Sequence, residues 1–109
     1  MKRRHVLFAL AFALAGSLPA IAADPASPTA TIEIAEFAFA PQTLTIKAGT
    51  TVTWRNRDAE PHTVRSPDEL MRSGALDQDE SYSVRFDKPG TYRYGCSIHP
   101  QMSGTIVVQ

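Results

Sequence analysis

Apolar and polar residues alternate along most of this chain with a period of two, the spacing of strands that bury one face. Ile32 and Ile34 alternate with Thr31, Glu33 and Ala35, so regular structure is expected from Thr31. Phe37 and Phe39 share a face by the same count, and Pro41 ends that run. Leu44 and Ile46 lie on one face of Thr43 to Lys47, followed by a turn at Ala48-Gly49-Thr50. The clearest strand is Thr51 to Arg57. Val52 and Trp54 face one side, Thr51, Thr53, Arg55 and Arg57 the other, and Asn56 falls on the core side at its end. A buried amide there needs hydrogen-bond partners.

The second half continues the pattern with one interruption. A turn at Asp58 to Pro61 leads into a short strand at His62 to Arg65. Ser66-Pro67-Asp68-Glu69 has the form of a capping box with proline at the first helical position, and Gly74 would stop the helix. One or two helical turns over Asp68 to Arg72, or an irregular loop, both satisfy that stretch. Tyr82, Val84 and Phe86 then alternate as a strand, Asp87-Lys88-Pro89-Gly90 is a turn, and Tyr92, Tyr94 and Cys96 share the next strand face. Gly104 to Val108 forms a terminal strand. Seven or eight short strands with turn signals about every ten residues predict an all-β fold, a Greek-key β-sandwich.

The first 22 residues break the pattern. Met1 to His5 is basic, Val6 to Leu14 is almost wholly apolar, and Ala20-Ile21-Ala22 is a small-x-small cleavage site. That is the layout of a secretory signal peptide over residues 1–22, too short and wrongly flanked for a membrane span. Residues 23–30 are rich in Pro, Ser and Ala and read as a flexible leader. Residues 31–109 are then a single domain, destined for the periplasm. The full chain has no net charge. Cleavage removes Lys2, Arg3 and Arg4 and no acid, leaving about −3. A concentrated basic face of the kind nucleic acids require is absent. Arg55, Arg57, Arg65 and Arg93 read first as a solvated sheet surface, with a weakly basic face for an acidic partner as the alternative.

The chemistry is concentrated in the loop Tyr94 to Met102. It carries the only cysteine, Cys96, then His99, then Met102, at three-residue spacings. A lone thiol in an oxidising compartment forms no internal disulfide and is protected when bonded to a metal. Thiolate and thioether select soft metals, and imidazole suits copper. Two His and one Cys with a weak axial Met make a blue-copper electron-transfer set. After signal cleavage only His62 remains to complete it. Gly95 and Gly104 bracket the loop, Pro100 stiffens it, and core-facing Asn56 is the candidate to brace it around Cys96. A structural zinc site leaves Met102 unexplained. A Cys96–His99 nucleophile–base pair has no third group to orient the base. The chain is therefore read as no enzyme.

These residues resemble the small blue copper proteins, the cupredoxins, and within them the amicyanin branch more than pseudoazurin or plastocyanin. The resemblance runs from about Ile34 to Val108. It rests on Phe37-x-Phe39-x-Pro41, Gly49-Thr50-x-Val52-Thr53-Trp54-x-Asn56, Pro61-His62-x-Val64, Pro89-Gly90-Thr91-Tyr92-x-Tyr94-x-Cys96 and Cys96-x-x-His99-Pro100-x-Met102-x-Gly104. It implies one copper per chain, cycling between Cu(II) and Cu(I). His62, Cys96 and His99 would be equatorial ligands and Met102 the long axial one, with Asn56 tying the His62 region to the Cys96 loop. It further implies a monomeric one-electron carrier that docks redox proteins, such as a c-type cytochrome or a dehydrogenase, near His99. A periplasmic copper-trafficking or buffering protein is the alternative use of the same ligands. The segment from Ser66 to Gly74 departs from the branch, and the chain between His62 and Cys96 is shorter.

Overall fold

The computed structural model describes residues 27–109; the signal segment 1–22 and the start of the leader lie outside the described residues. Seven strands form: β1 Thr29–Ala35, β2 Ala38–Ala40, β3 Thr43–Ile46, β4 Thr50–Asn56, β5 Ser81–Phe86, β6 Gly90–Gly95 and β7 Ser103–Val108. They make two packed sheets, ordered β2-β1-β4-β5 and β3-β7-β6. β1 runs parallel to β4, and β3 parallel to β7. The sandwich expected from the alternation is therefore present, and β1 begins at Thr29, two residues earlier than expected, because Thr29 and Ala30 pair with Thr51 and Val52.

The core follows the period of two. Ile32, Ile34, Val52, Trp54 and Ile106 are completely buried. Burying each such side chain contributes roughly 1.5–3 kcal/mol. Trp54 sits at the centre, edge-on to Tyr94 at 5.3 Å between ring centroids and tilted against Tyr82 and Phe86. The Tyr94 ring covers Gly104 on the neighbouring strand so closely that no methyl group fits there. Gly104→Ala is expected to destabilise the protein by about 1–3 kcal/mol, lowering Tm by about 4–8 °C per kcal/mol. Calorimetry checks this, and an unchanged Tm would mean that the ring moves aside freely.

Two local expectations change, and one left open is decided. Phe37 does not share the buried face of Phe39. The two-residue connection between Ala35 and its partner Ala38 consists of Glu36 and Phe37, both with positive φ (53° and 58°), the signature of a type I′ hairpin. That turn swings Phe37 out to 40% exposure while Phe39 stays buried. The segment His62 to Arg65 is held by isolated bridges to Leu76, Arg72 and Gly95 rather than by a ladder. The stretch after Ser66 is an irregular loop. Its Ser66 hydroxyl accepts from the Met71 N–H and donates to Asp68, while the Glu69 N–H, which a capping box would give to that hydroxyl, goes to the Ser66 carbonyl. Glu69, however, takes a left-handed φ of 62°, which stops a helix from propagating.

Candidate metal centre

The chain leaving β4 after Asn56 and the chain leaving β6 after Gly95 meet at one end of the sandwich. His62 on the first is fully buried, Cys96 on the second is 4% exposed, and His99 is half-buried. His62 Nδ1 lies 3.1 Å from His99 Nδ1. Cys96 Sγ lies 4.0 Å from the first and 3.8 Å from the second. The centre of a triangle with these sides is about 2.1 Å from every corner. Metal–nitrogen and metal–sulfur bonds span ~2.0–2.3 Å, so one ion fits among all three atoms. Met102 closes the loop beneath them. Its N–H donates to the His99 carbonyl at 3.0 Å and its carbonyl accepts from the Cys96 N–H at 3.3 Å, with its side chain buried. A Cβ at Gly95 would meet that same Met102 carbonyl at 2.9 Å, so the tight closure needs glycine. A buried soft-and-borderline donor set of this kind fits copper.

Cys96 is braced by Thr63. The Thr63 N–H points at Sγ from 3.3 Å, and its hydroxyl lies 3.7 Å from Sγ while accepting the Ser97 N–H at 2.8 Å. Burial pushes the Cys96 thiol up, but the N–H groups of Thr63 and His99, with the His99 ring and the Thr63 hydroxyl, bring it down to about 7. An unfolded cysteine titrates near 8.5. The folded value is thus depressed, so this group stabilises the fold fully above the unfolded value and stops doing so as pH falls through about 7. In the metal-free protein, absorbance at about 240 nm, where thiolates absorb, is expected to rise with a midpoint near pH 7. A midpoint at the ordinary thiol value would show that these donors do not favour the thiolate.

Asn56 is completely buried, as its position predicts, but it braces different backbone from that expected. Its amide donates to the carbonyls of Glu60 and Leu76, both at 2.8 Å, and its oxygen accepts the Asp58 N–H at 3.0 Å. It holds the turn on which His62 sits, and its side-chain hydrogen bonds do not reach the Cys96 loop. The tie to that loop is made by Thr63 instead.

The alternation pattern also passed over Asp58. One of its oxygens accepts the Glu36 N–H at 2.8 Å; the other accepts the Phe37 N–H at 2.9 Å and lies 2.8 Å from His62 Nε2. A carboxylate there requires the proton on Nε2, which leaves the Nδ1 lone pair aimed at the triangle. Burial raises the Asp58 carboxyl, yet the Phe37 N–H, the His62 ring and the Glu36 N–H outweigh it and hold it below the usual range. The same carboxylate pins the strained turn that carries Phe37. That ring stands edge-to-face on both imidazoles, 5.0 Å from His62 and 4.9 Å from His99. Phe37, Ile98 and Pro100 give His99 an exposed apolar rim.

A family model described as a cupredoxin-like domain matches residues 6–108. Amicyanin-alpha from Methylorubrum extorquens is 39% identical over 100 residues, covering 87% of this chain and 83% of the relative. The Cu(I) form of an amicyanin variant superposes with a TM-score of 0.72 at 34% identity, over 80% of this chain and 88% of the other. A copper-containing nitrite reductase from Thermus scotoductus superposes with a TM-score of 0.69 at 35% identity, over 75% of this chain but only 22% of the enzyme.

Proposed function

Because this chain belongs to the cupredoxin-like domain family, we propose that it is a periplasmic one-electron carrier that holds one copper through His62, Cys96, His99 and Met102. The observation that carries the reading is the triangle of His62 Nδ1, His99 Nδ1 and Cys96 Sγ, with sides of 3.1 to 4.0 Å. Bound copper supplies the Cu(II)/Cu(I) couple. The residues supply the frame. Thr63 fixes the sulfur, Asp58 fixes the His62 tautomer and ring, and the backbone bonds of Met102 fix the loop. A frame held this way moves little when the charge of its occupant changes, which keeps the reorganisation accompanying electron transfer small.

The buried set would shield a bound metal from water, while His99 reaches the surface within its apolar rim. A small apolar contact area suits brief redox encounters with partner proteins such as a cytochrome or a dehydrogenase. The nitrite reductase likeness covers only 22% of that enzyme, and its activity is not carried over. The basic and apolar run at residues 1–22 supports export.

Titration of the metal-free mature protein with Cu(II) tests the reading. An intense visible band is expected to saturate at one copper per chain, bleach on reduction and return on reoxidation with the copper retained. Copper lost on reduction would move the assignment to trafficking, and no uptake would overturn both.

A further inference from the structure

Six arginines lie among the described residues, and the fold treats them differently. Arg57 pairs with Glu33 and Asp79, Arg72 with Glu69 and Arg85 with Asp87. Arg65 and Arg93 have no carboxylate within ion-pair distance among the described residues, nor has Arg55, which lies on β4 in the other sheet. Arg55, Arg57, Arg65 and Arg93, for which one basic face was the alternative to a solvated sheet surface, are therefore divided between the two sheets, and only Arg65 and Arg93 converge.

They converge because of two backbone constraints. Arg65 exchanges both backbone hydrogen bonds with Gly95, at 2.9 and 2.8 Å, which fixes it as a one-residue extension beyond β6. Arg93 stands two residues before Gly95, on the same outward face of β6. A hollow opens beside Gly95, whose own Cβ position abuts the Met102 carbonyl. The hollow is a groove of about 400 Å³ lined by Arg65, Pro67, Arg93, Gly95, Ser97 and Pro100, with Cys96 in its wall. Among the described residues no acidic one lines it; Asp68 faces the adjoining depression beside Arg93. A larger groove, of about 460 Å³, sets three carboxylates, Asp68, Glu69 and Asp87, against Arg85 and Lys88, with Arg85 already paired to Asp87, so it offers an acidic partner no surplus of positive charge.

We propose that the Arg65–Arg93 groove is a docking site for an acidic protein partner, which lays a pair of its carboxylates across Gly95 and so approaches the metal centre from the Cys96 side rather than through His99. This inference rests on the electron-carrier reading for its purpose, but not for its test. Charge complementarity selects the partner. In a mature chain of net charge about −3, a concave basic spot attracts a specific acidic patch rather than acidic proteins in general. The apolar walls of Pro67 and Pro100 exclude water around the guanidinium groups, and each guanidinium can take a carboxylate in a bidentate pair.

The experiment uses the diamagnetic Cu(I) protein, ¹⁵N-labelled, titrated with an octaglutamate peptide. No electron moves, and the same titration of the metal-free protein makes the outcome independent of copper binding. Amide shifts are expected to saturate and to centre on Arg65, Ser66, Arg93, Gly95 and Ser97. Affinity is expected to weaken by at least ~3-fold between about 0.02 M and 0.2 M salt. The R65Q/R93Q variant is expected to lose at least ~5-fold in affinity, and the charge-matched R55Q/R85Q control to change by less than ~2-fold. Shifts scattered over the surface, or equal losses in both variants, would overturn the proposal. So would equal shifts from monomeric glutamate at matched carboxylate concentration, which would make the groove a small-anion site.

Discussion

Replacing Cys96 by serine removes the intense visible absorption of the Cu(II)-loaded protein, lowering absorptivity by at least ~10-fold. The band requires charge transfer from a thiolate. A serine hydroxyl stays protonated at pH 7 and is a hard donor that a soft-metal site does not favour. Cys96 is already brought down to about 7 by the N–H groups around it, so the wild-type site presents thiolate near neutrality without waiting for the metal to displace a proton. The substitution leaves the scaffold in place. Serine is nearly isosteric, its oxygen accepts the Thr63 N–H that now points at Sγ, and the metal-free protein should change in stability by no more than about 1 kcal/mol. Spectroscopy and thermal unfolding of the same sample separate the two effects. Retention of the band in a folded Cys96→Ser protein would place the copper somewhere other than the Cys96 triangle.

Asp58→Ala has the larger effect on the fold. It strips an acceptor from three donors at once: the Glu36 and Phe37 N–H groups and the buried His62 Nε2. It also releases a turn whose two residues both sit at positive φ without being glycine. Leaving a buried donor unsatisfied costs about 1–3 kcal/mol, and strained non-glycine backbone persists only while its surroundings enforce it. A loss of about 2–4 kcal/mol is expected, measured by denaturant unfolding of the metal-free protein. A second substitution separates the two roles of Asp58. Glu36→Gly in the Asp58→Ala background should recover part of the stability, because glycine takes a positive φ without penalty. It should not restore the wild-type copper spectrum, because nothing then fixes the His62 tautomer. Full recovery of both would mean that the carboxylate serves only the turn.

The low carboxyl of Asp58 adds a pH dependence. Its folded value lies below the ordinary one, so its contribution is present above the unfolded value of about 3.9 and lost as pH falls through the folded value. Acid should therefore loosen the Phe37 turn and the His62 ring together.

What could be read along the chain was what local order dictates. Cys96, His99 and Met102 announce themselves because three ligand types fall within seven residues. His62 joins them because few histidines remain. The burial of Asn56, Trp54 and Tyr94 comes from the period of two. Phe37 defeated that count because the period holds only while the strand continues, and a two-residue hairpin intervened. Asp58 left no signal because its role joins residues 22 positions apart in sequence, through backbone N–H groups that no side chain advertises. Thr63 escaped for the same reason, since its shortest bond to the sulfur is made by an amide that any residue but proline would carry. Asn56 was placed correctly and its partners were not, because a buried amide declares a need for hydrogen bonds without declaring to whom.

The position of β7 sets an order of events. It lies between β3 and β6, so the last strand in sequence is the middle strand of its sheet. During synthesis the first six strands have no way to close that sheet, and β3 waits for a parallel neighbour about sixty residues downstream. Non-local pairings of this kind fold slowly, because the chain must close a long loop before any contact offsets the entropy. The loop from Cys96 to Met102 directly precedes that final strand, so its backbone closure waits on β7. The metal centre is thus expected to be among the last parts of the molecule to take shape, and a chain halted before Ser103 would carry every proposed ligand without the means to hold them together.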